Sequence, residues 1–238
     1  MREQARSAPQ TKTALGGTVR TGRPVVTLTI IALCVVSWLL QLATGGEWTQ
    51  RLAFAPFIGD VQPYRFLTAA FLHSTSVFHI LFNMYALWIT GPFLEQMLGR
   101  ARFIALYVLA AVGGSVGVVL LAQPTPDGGW FTPVVGASGA VFGLFGAILV
   151  VLRRLGRNAA QILVLIGINF AIGFMVSNIA WQAHLGGLVV GLVLGAGYAY
   201  AHKERRRLWS IGITVAVAVV LVLLTVLKYA SAPQFVLS

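Results

Sequence analysis

Four side chains combine reactivity with unusual surroundings: His79, Asn83, Ser138 and His184 each lie inside a long stretch without a single charge. A serine becomes a nucleophile when a neighbouring imidazole takes its proton, and acyl transfer also needs donors aimed at the developing oxyanion. His79 and Asn83 are spaced i, i+4, so on a helix they project from one face. Ser138, in "VVGASGAVFG", opens an apolar run, where the unpaired N–H groups and positive dipole of a helix start favour negative charge. Ser138 would attack a carbonyl, His184 would accept its proton, and the Ser138 N–H with His79 and Asn83 would hold the oxyanion. The competing reading is packing. Gly136, Gly139, Gly143 and Gly146 surround Ser138, and Gly187, Gly191 and Gly195 follow His184. Small residues at such spacing let membrane helices approach closely.

The elements that must position these groups follow from composition. Hydrophobic residues make up 58% of the 238 residues and charged ones 10%, with a mean hydropathy of +0.84. A soluble domain carries about 25% charge, so this is an all-α polytopic membrane protein. Runs without charge, each long enough for the roughly 20 apolar residues that cross a bilayer, predict helices near 25–43, 78–95, 102–122, 137–152, 159–176, 181–201 and 208–227. The last two members of the core arise from one 45-residue run, which must turn, with Ser177 and Asn178 as the breaker and Trp181 at an interface. Four segments on one side hold 14 of the 17 Lys and Arg residues, which puts the N-terminus in the cytoplasm and the C-terminus outside. That asymmetry accounts for the net charge of +11, so nucleic acid is not a partner. The organisation expected is a disordered cytoplasmic tail over 1–24, a six-helix core over 25–202, and a basic linker, seventh helix and short external tail over 203–238. No signal-peptide cleavage site is evident. Cys34, the single cysteine, reads as a buried apolar-like residue. His73 falls in the external segment 44–77, with a solvated or loop-bracing role, and His202 belongs to the basic cluster.

Depth decides between chemistry and packing. His79 lies 16 residues before Glu95, Ser138 15 before Arg153, and His184 19 before Lys203. At about 1.5 Å per residue, all three sit roughly 22–29 Å above the inner charged boundary, in the outer third of a core about 30 Å thick. Scattered packing residues would not share a level. The six acids all fall in loops or at helix ends, so a Ser–His dyad is expected, with Phe142, one turn after Ser138, able to stack on the imidazole. No H-E-x-x-H sequence occurs, both Asp residues lie in loops, and position 140 is Ala rather than the Gly of a G-x-S-x-G elbow. These absences exclude the metalloprotease, aspartyl and α/β-hydrolase patterns. No metal or organic cofactor is called for.

The same residues resemble the rhomboid family of intramembrane serine proteases. "GASG" with Gly136 and Ser138 looks like its nucleophile motif, and "AHLGGLVVG" fits A-H-x-x-G-x-x-x-G with His184. "HILFN" fits H-x-x-x-N with His79 and Asn83, and "EQMLGRARF" fits E-x-x-x-G-x-x-x-F with Glu95, Gly99 and Phe103. The usual Trp-Arg of the first external loop is Tyr64–Arg65 here, and the position of Phe142 is often Tyr. The seventh helix resembles the six-plus-one form. The short basic tail and compact loops point to a multi-pass protein of a bacterial plasma membrane, and the resemblance implies hydrolysis of peptide bonds in or beside transmembrane segments of substrates within the lipid bilayer. The alternative it leaves is an inactive relative that binds membrane clients without cutting them.

Overall fold

The computed structural model describes residues 12–17, 23–125, 127–175 and 179–232. Its helices are α1 (Val25–Ala43), three short ones, α2 (Glu47–Leu52), α3 (Pro56–Gly59) and α4 (Arg65–Thr68), a 3-10 turn at Ala69–Phe71, then α5 (Val77–Leu98), α6 (Arg100–Leu121), α7 (Ser138–Arg154), α8 (Ala160–Met175), α9 (Trp181–Ala199) and α10 (Arg206–Ser231). Among the described residues there are no strands, only isolated bridges such as Phe54 with Val134.

All seven predicted apolar helices are present, with ends within four residues of expectation. Five, α1, α5, α6, α9 and α10, are long and apolar enough to cross a membrane. The 17 residues of α7 and 16 of α8 rise only about 24–26 Å, slightly less than a full bilayer core. The external segment before α5, for which no helix is predicted, contains α2–α4. Arg65 binds it together: 8% exposed, it donates from Nη1 to Gln50 O (2.7 Å) and Ala53 O (2.6 Å), and from Nε to Gln62 Oε1 (2.6 Å). The turn expected at Ser177 and Asn178 lies outside the described residues.

The centre is built from α6, α7 and α9, where glycines bring backbone against backbone. A Cβ added to Gly187 would strike the backbone of Gly139, one on Gly191 that of Gly143, and one on Gly195 would lie 2.8 Å from Ala147 Cα. The glycines of α9 therefore step in register with the small residues of α7, four residues at a time. On the other flank, a Cβ added to Gly117 or to Gly186 would lie 3.0 Å from the other's Cα. In lipid, apolar burial does not drive helices together, so this closeness is what gives the dispersion contacts that hold them.

At the other end of α5, Glu95 is 6% exposed and caps α1, whose own start has no side-chain cap. Its carboxylate accepts from Val26 N (3.1 Å), Thr27 N (2.9 Å) and Thr27 Oγ1 (2.9 Å), with Arg100 Nε 3.6 Å away. Anion against the open N–H groups of a helix start is a favourable pairing. The chain then turns at Gly99, whose φ of 83° disfavours any other residue. Within the tail expected to be disordered, residues 12–17 are packed here. Thr13 Oγ1 (2.8 Å) and Gly17 N (3.2 Å) donate to Met97 O, and Leu15 is buried. Met97 O, in the last turn of α5, has no partner within its helix, and Thr13 and Gly17 satisfy it. Residues 1–11 and 18–22 of that tail lie outside the described residues.

Gly191→Ala tests the ladder. Its new methyl has only Gly143 backbone to displace, so thermal unfolding in detergent should show a loss of about 1–3 kcal/mol. An unchanged melting temperature would contradict so close a contact.

Candidate active site

The ladder carries two of the predicted residues with it. Ser138 immediately precedes Gly139, and His184 lies three residues before Gly187, on the same face of α9. At this level three backbones converge: an added Cβ on Gly114 of α6 would lie 3.1 Å from Ala183 O and 3.3 Å from Gly139 Cα. His184 is 7% exposed. Its ring stacks on Phe142, with centroids 4.2 Å apart and planes 11° from parallel, and stands edge-on to Phe170 of α8 at 6.4 Å and 79°. Its Nδ1 is buried without a hydrogen-bond partner. Aromatic walls, not a carboxylate, therefore set the orientation of the imidazole. No hydrogen bond joins Ser138 Oγ to His184 in this structure.

Ser138 is half-buried and is the first residue of α7, whose N-cap, Ala137, supplies no side-chain cap. The first amide of this turn to reach back is Val141 N, to Ala137 O (3.0 Å). The N–H groups of Ser138, Gly139 and Ala140 thus belong to the open, positive end of the helix. Gly136 precedes them with φ 134°, its N–H donating to Ala69 O (3.0 Å). A Cβ there would lie 3.0 Å from His79 Nε2 and 3.6 Å from Ser138 Oγ, so Gly136 lets the imidazole and the hydroxyl close on the same spot. A side chain would fail twice, by conformation and by contact.

The protonation of His79 follows from its other nitrogen. Ser74 N donates to His79 Nδ1 (3.1 Å), and Ser74 Oγ lies 3.0 Å from it. With Nδ1 accepting, the proton of the neutral ring must sit on Nε2, the atom that faces Gly136 and Ser138. Asn83, 7% exposed, uses Nδ2 to donate to His79 O (2.8 Å) within its own helix. That bond leaves one Nδ2 hydrogen for other use. A cavity of about 20 Å³ borders Gly136, Gly139 and Ala140, enough for about one water.

His73 departs from the solvated alternative: it is 1% exposed. Its backbone is held from both sides by the Gln41 amide, with His73 N donating to Oε1 (2.9 Å) and Nε2 donating to His73 O (2.8 Å). Its ring lies edge-on to His79 at 5.3 Å and 63°, and neither ring nitrogen has a partner. Burial first, and His79 second, push its pKa from 6.5 down to about 3. Gln41, a polar residue inside an apolar run, was the available sequence signal for this brace. Among the described residues no group of His, Cys, Asp or Glu is arranged to hold a metal.

A family model described as a rhomboid domain matches residues 60–201, which include all four reactive residues. The chain is 34% identical over 189 residues to the rhomboid protease GluP of Bacillus subtilis (strain 168), a match covering 74% of this chain and 35% of that protein. It is 30% identical over 189 residues to the rhomboid protease GlpG of Yersinia pestis (strain Pestoides F), covering 74% of this chain and 64% of that one. The matched region thus spans about a third and somewhat under two thirds of these curated relatives.

The His73 environment predicts a pH dependence. A histidine with a lowered folded pKa adds stability above its unfolded value near 6.5, and that contribution is lost as pH falls from there toward 3. The melting temperature should fall across that window, and His73→Phe should flatten the fall. Parallel curves for the two proteins would refute the assignment.

Proposed function

Because the chain belongs to the rhomboid family, we propose that it is a serine endopeptidase that hydrolyses peptide bonds in or next to transmembrane segments of membrane-protein substrates, with Ser138 as nucleophile and His184 as general base. The observation that carries this reading is the glycine register of α7 and α9, which holds the Ser138 and His184 backbones at one level. His184, fixed by Phe142, accepts the Ser138 proton as Oγ adds to the substrate carbonyl. The oxyanion is met by the open N–H groups of α7, by His79 Nε2–H and by the spare Asn83 hydrogen. Collapse returns the proton from His184 to the leaving amine and leaves an acyl-serine. Water, deprotonated by His184, then releases the acid and restores Ser138. A substrate helix must unwind before its carbonyl is free, so small and helix-weakening residues near the cleaved bond favour the reaction.

The basic end of the bundle is the cytoplasmic one on this reading, and the Ser138 end opens outward. The reaction belongs to the six-helix core over 25–202 in a bacterial plasma membrane.

Two experiments test it. Purified protein in detergent or lipid should cleave a transmembrane reporter, and Ser138→Ala or His184→Ala should reduce the rate by about three orders of magnitude or more. A fluorophosphonate should label the wild type and not Ser138→Ala; persistent cleavage by that variant would sink the mechanism. Asn83→Ala should cost no more than about a hundredfold, because the other oxyanion donors remain. A loss as deep as that of Ser138→Ala would mean that Asn83 has a different task.

A further inference from the structure

The seventh helix contributes no residue to the site and lies outside the matched rhomboid domain. Its last turn is nonetheless tied into the molecule in an unexpected way. A lysine near the end of a lipid-facing helix ordinarily extends toward water. Lys228 instead turns inward: Nζ donates to Leu120 O (3.2 Å) and Ala122 O (3.1 Å), at the end of α6, and lies 5.9 Å from the centre of the Trp130 ring. Cations suit that position because the final carbonyls of a helix lack partners. Next to it, Tyr229 Oη donates to Pro56 O (2.7 Å), and its ring meets Trp130 edge-on at 5.8 Å and 71°.

From Trp130 the bonds lead to the nucleophile. Trp130 is 3% exposed, and its carbonyl accepts from Phe57 N (3.1 Å). Four residues on, Val134 and Phe54 exchange two backbone bonds, of 3.2 and 2.6 Å. Two further, Gly136 is held to Ala69, and Ser138 follows. The described residues of the connection from α6 to α7 form no helix of their own, so its shape rests on these pins. One of them, the Trp130 region, is pressed into place from α10.

We propose that Lys228 and Tyr229 are positioning residues: the end of the seventh helix clamps the Pro56 and Trp130 segments together, and through them fixes Gly136 and Ser138. The catalytic consequence rests on the protease reading; the mechanical coupling does not.

The test uses the full chain and the double variant Lys228→Met/Tyr229→Phe. Methionine keeps the stem without the donors, and phenylalanine keeps the ring on Trp130 without the hydroxyl. Amide hydrogen exchange in peptides covering 54–57 and 130–136 should rise about tenfold while α7 keeps its protection. Fluorophosphonate labelling of Ser138 and kcat on the reporter should fall together by about 3- to 30-fold with KM little changed. Lys228→Arg alone should retain near wild-type rates, since it keeps both charge and donors. Wild-type exchange in the two segments overturns the clamp. So does a rise that extends equally into α7, which would signal general loosening. Normal labelling despite looser segments overturns the positioning role. A wild type that neither labels nor cleaves refutes the protease reading, and the exchange measurement still decides the coupling.

Discussion

Backbone resting on backbone is the constraint from which the rest follows. Where Gly187 meets Gly139 and Gly191 meets Gly143, no side chain intervenes to absorb an error. Displacing α9 along α7 by one residue would drive a side chain into main chain, so the register is fixed by exclusion rather than by any strong bond. The same contact sets the level of His184 against Ser138. It also draws in α6, through Gly114 and Gly117, so three helix backbones converge at the level of Ser138 and His184. Small residues that read as packing and polar residues that read as chemistry are parts of one arrangement.

Around that centre, scarce polar groups, charged and uncharged, finish helix ends that would otherwise be left open. Glu95 completes the start of α1, Lys228 the end of α6, and Thr13 with Gly17 a late carbonyl of α5. Arg65 and Gln41 do the same for irregular backbone before α5. In a low-dielectric setting, unmatched N–H and C=O groups are expensive. A chain with only 10% charged residues uses Glu95, Arg65 and Lys228 to bridge separate elements, and uncharged polar side chains serve as further joints between segments distant in sequence.

The helices were legible because hydropathy and charge report directly on crossing a bilayer. Phe142 against His184 was legible for a local reason: it follows Ser138 by one turn. The segment 44–76 was not. Helices of four to six residues such as α2, α3 and α4 show no full period, and Arg65 is buried only because carbonyls from a neighbouring turn happen to need it. The Phe54–Val134 bridge joins positions 80 apart, which no spacing rule reveals. For His73, loop membership left a solvated and a bracing role open, and the Gln41 amide, which satisfies its backbone and lets it be enclosed, decides for the brace. For Asn83, spacing supplied the correct helix face but not the bond to His79 O that restrains its amide.

The Phe142–His184 stack has a consequence for how the site meets its surroundings. A base steered by a carboxylate is held by a force that ions in solution can weaken and that vanishes when the acid is protonated. A base steered by a flat hydrocarbon wall is held by shape, which neither salt nor a neighbour's proton can erase. Orientation is thereby separated from electrostatics. A membrane surface is a place where local ion concentration and acidity vary, and there this imidazole keeps its aim without reference to either.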